Sequence, residues 1–585
     1  MRTLYFVLSA LLILPTGSWA NEGDAAVDRV IDAHWNWQLE QHPEWRLDYG
    51  DRSGNALWTD ASLDALARRQ QARQSLVSQL AAIEPATLSA DALLNRSMLL
   101  REIQDDITAH ELGLNLMSIN MRSGPQHRHG MVEYLPFDTA QDYEDWLIRL
   151  ESLPKQLAQY EAQLAEGILR QRTQARIVMA RVPEQIDRVM TDDPEQSPFW
   201  RAFVTMPDSI DLSTQAAIRN RARLVISEQL NPAYATFKSF MVKHYLPACR
   251  EAPGIGSLPG GKDIYRELVQ QFTTTNLSPE QVHEIGLQEV ARIRNEMMAV
   301  IDEVGFDGDL QAFNEFLRND PQFYYNDADT LLTAYQAISK RIDPELVKLF
   351  GKLPRMPYGV RAIPDEIAPD TTTAYYMGPA ADGSRAGFYY VNLYRPEVRP
   401  KYEMEVLSVH EAVPGHHLQI ALAQELTDLP NFRRDSNVTA FVEGWGLYSE
   451  RLGYDLGLYQ DPYSRYGQLI YDMWRAVRLV VDTGIHYFEW PRQQAIDYFL
   501  ANAAKSEADI INEIDRYIGW PGQALAYKIG QMKMLELRAE AEAALGADFD
   551  IRAFHDTLLG AGAIPLDALE ARMDNWVAAQ QAAAQ

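Results

Sequence analysis

The chain has 585 residues, with 81 acidic side chains against 54 basic ones and a formal net charge of −27. That balance argues against nucleic acid or an anionic membrane surface as a partner, since both need contiguous positive potential, while the length allows a large buried core. The only cysteine is Cys249, so an internal disulfide is excluded and stability has to come from packing.

Residues 1–20, MRTLYFVLSALLILPTGSWA, join one arginine to an apolar run from Leu4 to Leu14, a breaker at Pro15 and small residues at Ser18 and Ala20. This is the pattern of a secretory signal peptide. The run is shorter than the roughly 20 residues that span a bilayer, and no cysteine stands near the cleavage point to take a lipid. The expected product is soluble, exported across the inner membrane and periplasmic, with no integral membrane segment in the mature chain.

From there the text reads as mainly α-helical. Apolar residues recur at steps of three and four in 61–85, in 141–171 with a break expected near Pro154, and in 278–305, where Ser278 and Gln281 have capping-box spacing. The pattern continues through 310–320, 327–350 and 563–584. Residues 353–400 depart from it: they are rich in proline and glycine and contain the runs TTTAYYM and GFYYVNLY, predicted as two short strands. The organisation expected is a large helical body with a central cleft. A helical N-terminal half (21–350) and a catalytic half (351–585) together form it, with a small β element beside the key helix.

That key helix carries 408-SVHEAVPGHHLQ-419. A helical zinc site places two histidines four residues apart, with a glutamate after the first as general base, but four residues after His410 stands Pro414. His416 and His417 follow at six and seven. In a regular helix these lie about 9 and 10.5 Å further along the axis, too far to share a metal at about 2 Å from each nitrogen. The site therefore requires a broken helix, and Pro414 and Gly415 are the residues to break it. Downstream, 438-VTAFVEGWGLYSERLG-453 embeds Glu443 in an apolar, aromatic surface between glycines. A buried carboxylate there needs either a metal or an arginine such as Arg451, Arg475 or Arg478; Glu450, seven residues on, is the fallback ligand or a supporting acid.

The segments HEAVPGHHLQ, EGWGLYSERLG, YDMWRAVRLVVDTGIHYFEW, GWPGQALAYKIG and FHDTLLGAGAIPLDALE occur in this order. Together they resemble the bacterial family catalogued as domain of unknown function 885, grouped with gluzincin-type zinc metallopeptidases. The resemblance implies an angiotensin-converting-enzyme-like or oligopeptidase-like helical fold and one zinc ion per chain. It implies metal ligation by His410, Glu443 and one histidine of the pair, with Glu411 as general base. Position after the glycine favours His416, leaving His417 to substrate; alignment on Gln419 would favour His417 instead.

Tyr527 and His555 are candidate donors to a developing oxyanion. Tyr390, His417, His486 and Lys528 are candidate substrate contacts. Tyr389 and Tyr390 must point to opposite faces of their strand, and Lys528 or Arg361 would suit a peptide C-terminal carboxylate. No phosphate loop or nucleophilic-serine elbow occurs. The function expected is zinc-dependent hydrolysis of peptide bonds in short peptides or related amides, of oligopeptidase, dipeptidase or carboxypeptidase type. The alternative is a periplasmic peptide-binding or scaffold protein with a degenerate metal site.

Overall fold

The computed structural model describes residues 22–364, 368, 372–380, 383 and 385–584; the expected signal peptide lies outside them. The principal helices of the first half are α1 (Glu22–Gln41), α2 (Leu63–Ala81), α3 (Ala90–Glu111), α4 (Ala140–Leu169), α5 (Pro279–Glu303), α6 (Leu310–Asn319) and α7 (Ala328–Ile342). A small sheet follows, formed by β1 (Tyr358–Ala362), β2 (Ala374–Met377) and β3 (Gly387–Val391). Then come α8 (Met404–Glu411), α9 (His416–Glu425), α10 (Thr439–Asp455), α11 (Pro462–His486), α12 (Glu507–Gly519), α13 (Ala526–Leu545), α14 (Ile551–Leu559) and α15 (Leu566–Ala584). The protein is mainly α-helical. Among the described residues, no helix is long and apolar enough to cross a membrane.

Local signals account for several boundaries. The Ser278 side chain accepts from the Gln281 amide while Gln281 reaches back to Ser278, closing the predicted capping box at the start of α5. The break expected near Pro154 does not occur: α4 runs unbroken through it, capped at Thr139. Leu150, Leu153 and Leu157 on either side of the proline are almost wholly buried, and that packing outweighs the lost backbone hydrogen bond. Buried apolar side chains from Val27 to Met573 form one contiguous cluster. The halves meet directly where α5 crosses α11, and a Cβ on Gly286 would come within 2.7 Å of Leu479 Cβ.

The sheet has three strands in the order β1-β3-β2, with β1 parallel and β2 antiparallel to the central strand. The two predicted strands are β2 and β3. The additional one, β1, has the sequence YGVRA, without apolar alternation and flanked by prolines, and only its tertiary pairing with β3 makes it a strand. β2 lies at the edge beside α8, so its outer backbone faces the helix that carries His410 and Glu411.

Candidate metal centre

α8 ends at Glu411, and α9 does not begin until His416. Between them the chain folds back over the last turn of α8: the Gly415 N–H donates to Val409 O at 2.9 Å and the His417 N–H to Ala412 O at 3.0 Å. Glycine is required at 415 because a Cβ there would sit 1.9 Å from His410 O. The turn brings the His410 and His416 rings to 4.7 Å between centroids, nearly perpendicular at 84°.

One turn of α10 supplies what surrounds them. Glu443 Oε2 lies 3.5 Å from His416 Nε2 and 3.9 Å from His410 Nε2. Gly444 meets Gly530 backbone to backbone, which brings α13 against α10. The Trp445 indole donates to Pro414 O at 2.8 Å and so pins the turn. At Gly446 a Cβ would come within 2.8 Å of His410 Cε1. Consequently Gly446→Ala is expected to displace the His410 ring and weaken zinc binding about 10- to 100-fold, the scale of losing an orienting contact. Zinc titration of the folded variant checks this; unchanged affinity would show that the ring is not held here.

The ligand atoms of His410, His416 and Glu443 all lie within 4.8 Å of one another. In a tetrahedral site with bonds near 2.1 Å, ligand atoms are separated by roughly 3.4 Å, which the two glutamate separations approach. His410 Nδ1 stands 2.9 Å from Glu450 Oε1, leaving Nε2 toward the cluster, and Glu450 is itself 3.2 Å from Arg475. That is the position of an outer support for a ligating imidazole, with the carboxyl pushed up to about 8 by burial and neither oxygen hydrogen-bonded among the described residues.

Burial, helped by the neighbouring His416, holds His410 well below the usual histidine range, favouring the neutral form a ligand needs. Burial opposes the charge on His416 too, but the hydrogen bond and charge of Glu443, with that of Glu411, outweigh it and raise its pKa. Glu443 is also pulled away from its burial-favoured neutral form, to a lowered pKa, by His416 and by the hydrogen bond from Tyr527. The two shifts are coupled: each group favours the charged form of the other, and a metal bound between them would take the place of the His416 proton. Burial, reinforced by Glu443, pushes the Glu411 carboxyl up to about 7. The Tyr376 backbone N–H, on the outer edge of β2, hydrogen-bonds that carboxyl.

The sequence-predicted residues divide clearly. His410, His416, Glu443 and Glu411 come together, and Tyr527 joins them through Glu443. His417 does not: its Nδ1 is 2.8 Å from Tyr376 Oη and its Nε2 3.1 Å from Met356 O, so both nitrogens are committed elsewhere. His486 is buried between the Ile255 amide and Tyr517 O. His555 is buried between Tyr448 Oη and Leu349 O, stacked on Phe350. Neither histidine has a ring nitrogen left for substrate or oxyanion. The Tyr389 ring is buried on the α8 side, where its hydroxyl meets Ser408. Tyr390, chosen from sequence as the substrate contact, lies on the opposite face and stacks on Tyr375 at 4.9 Å.

Lys528 is no carboxylate receptor. Its ammonium is buried against Asp472 Oδ1 at 2.5 Å, Glu289 Oε2 at 2.8 Å and Gln531 at 2.8 Å, joining α5, α11 and α13. Arg361 is exposed, with its guanidinium over the Phe388 ring. Removing one partner of a buried ion pair costs about 3–5 kcal/mol, so Lys528→Met is expected to lower unfolding stability by that order. Thermal or denaturant melting measures it, and an unchanged midpoint would contradict the network. What the sequence reading missed is the commitment of Arg475 to Glu450 and the Tyr376 amide on Glu411. Two arginines at 475 and 478 within the mostly apolar run 473–481 were the available signal for the first.

A family model described as "Bacterial protein of unknown function (DUF885)" matches residues 43–573. No curated protein matches the chain. Among solved structures, "the putative lipoprotein from Colwellia psychrerythraea" is similar with a TM-score of 0.90 and 28% identity, over 95% of this chain and 99% of that one. "A putative lipoprotein of unknown function from Shewanella oneidensis" is similar with a TM-score of 0.73 and 16% identity, over 94% of this chain and 99% of that one; this second likeness speaks for the fold alone.

Proposed function

Starting from the fact that this chain belongs to the bacterial family DUF885, we propose that it is a zinc-dependent hydrolase of peptide bonds in short peptides or related amides, using one ion per chain. The observation that carries the reading is the convergence of His410, His416 and Glu443 within 4.8 Å, with Glu411 next in sequence to the first of them. We extend the proposal to the gluzincin grouping and to a cleft-containing body of the angiotensin-converting-enzyme or oligopeptidase type. Export to the periplasm is part of the same proposal, supported by the N-terminal sequence and by relatives described as lipoproteins. The buried Cys249 is no candidate for lipid attachment.

Held by His410, His416 and Glu443, zinc supplies Lewis-acid activation of water and of the scissile carbonyl. The remaining chemistry belongs to the chain. Glu411, with a carboxyl poised near neutrality, accepts the proton of the attacking water and returns it to the leaving amine. The phenol of Tyr527, half-buried and hydrogen-bonded to Glu443, is the donor that turns to oxyanion charge once the metal occupies that carboxylate. The outer edge of β2 offers extended backbone to which a peptide strand can pair.

The test is direct. The full chain reconstituted with one equivalent of zinc should hydrolyse short peptides, lose activity on chelation and regain it on zinc addition. A zinc-loaded protein inert toward a panel of short peptides and amides would defeat the reading.

A further inference from the structure

Beside the metal cluster, α11 carries two arginines that are almost wholly buried. Arg475 Nη2 lies 3.2 Å from Glu450 Oε1, whereas Arg478 is held on other partners. Its Nε donates to Tyr517 Oη at 2.8 Å and its Nη2 to Glu513 at 3.2 Å, while Nη1 has no hydrogen-bond partner among the described residues. The guanidinium lies over the Tyr527 ring, 4.4 Å from its centroid, and Tyr527 is the residue whose phenol meets Glu443.

Glu513 is shared further. Arg516 Nη2 donates to it at 3.0 Å, and Arg122 Nη2 approaches to 3.8 Å with a side chain 52% exposed. Arg122 is set in place by the turn Asn120–Ser123, which Asn120 Nδ2 ties to Gly519 O at 3.2 Å. Three guanidiniums therefore face one carboxylate. Asp482, four residues further along α11, accepts the Tyr265 hydroxyl at 2.6 Å and the Gly522 amide at 3.0 Å through Oδ1 and hydrogen-bonds to none of the three guanidiniums. An unmet donor on an enclosed guanidinium is costly, and excess positive charge at such a place matches a planar anion bound by charge-assisted hydrogen bonds.

We propose that Arg122 and Arg478 bind the free C-terminal carboxylate of a peptide substrate, so that this site removes residues from the C-terminus. The proposal rests on the peptide-hydrolase reading above and names its substrate class. The Arg478 guanidinium lies over the Tyr527 ring, whose phenol meets Glu443, so a carboxylate held there sets the C-terminal end of the substrate beside the metal cluster, with the scissile bond near that end.

The experiment compares tri-alanine with its C-terminal amide, which keeps the shape and removes the charge. With zinc-loaded wild type, kcat/KM for the acid should exceed that for the amide by about tenfold or more, the scale of one charge-assisted hydrogen bond. Arg122→Gln, at an exposed position, should lower the acid value and leave the amide value in place; Arg478→Lys, whose side chain also packs on Tyr527, should lower the acid value more than the amide value in the folded variant. Binding of the two peptides to zinc-loaded Glu411→Gln, followed by calorimetry, should show the same preference without turnover. Equal rates or affinities for acid and amide overturn the clamp while leaving peptide hydrolysis standing. Hydrolysis of neither by wild type counts against the peptide-hydrolase reading, and calorimetry still decides whether the carboxylate is bound.

Discussion

Glu411→Gln should retain one zinc per chain and lose peptide hydrolysis by about 10²–10⁴-fold, the usual contribution of a positioned general base. The substitution keeps the size of the side chain and an acceptor for the Tyr376 amide, so the turn from α8 into α9 should form as before. What disappears is the carboxylate that takes the water's proton. Glu411 is not among the three groups whose ligand atoms converge, so metal content and turnover should separate cleanly. Metal analysis alongside kcat measurement decides it. Retained hydrolysis would remove Glu411 from the mechanism, and lost zinc would place it among the ligands.

His410→Ala is expected to have the opposite signature: zinc affinity falls by more than about 100-fold, since even outer supports of a ligand are worth about 10–100-fold. Hydrolysis falls with it. The ring is buried against Gly446 with Nδ1 2.9 Å from Glu450, a carboxyl that burial pushes up to about 8 with Arg475 beside it. Truncation therefore leaves a cavity but no stranded charge. A folded variant that still binds zinc with wild-type affinity would sink the proposed ligand set. His417→Ala serves as the contrast, because its imidazole bridges Tyr376 and Met356 rather than facing the cluster. It should bind zinc normally and be less stable.

Much of this was legible in residues near one another in sequence. Helical periodicity, the Ser278 cap and the strand character of 387–391 all follow from local sequence. So does the need for a break at Pro414 and Gly415, because no regular helix could bring His410 and His416 to one point. The glycines flanking Trp445 signalled close approach, and both prove to be contact points, one for α13 and one for the His410 ring.

The rest depended on partners far away in the chain. His416 and His417 are adjacent and chemically identical, and only the fold of the turn sends one toward Glu443 and the other toward Tyr376. Lys528, His486 and His555 looked available because, Gln531 apart, the groups that occupy them stand 31 to 239 positions away. Arg478 looked like a salt-bridge partner for Glu443, yet the fold seats it on Glu513 and Tyr527 with one donor unmet. The sequence by itself determined which chemical groups this protein owns and which local geometries they exclude. Tertiary structure alone decided which groups stay free to act, because a polar side chain inside a protein is available only when packing has not already given it a partner.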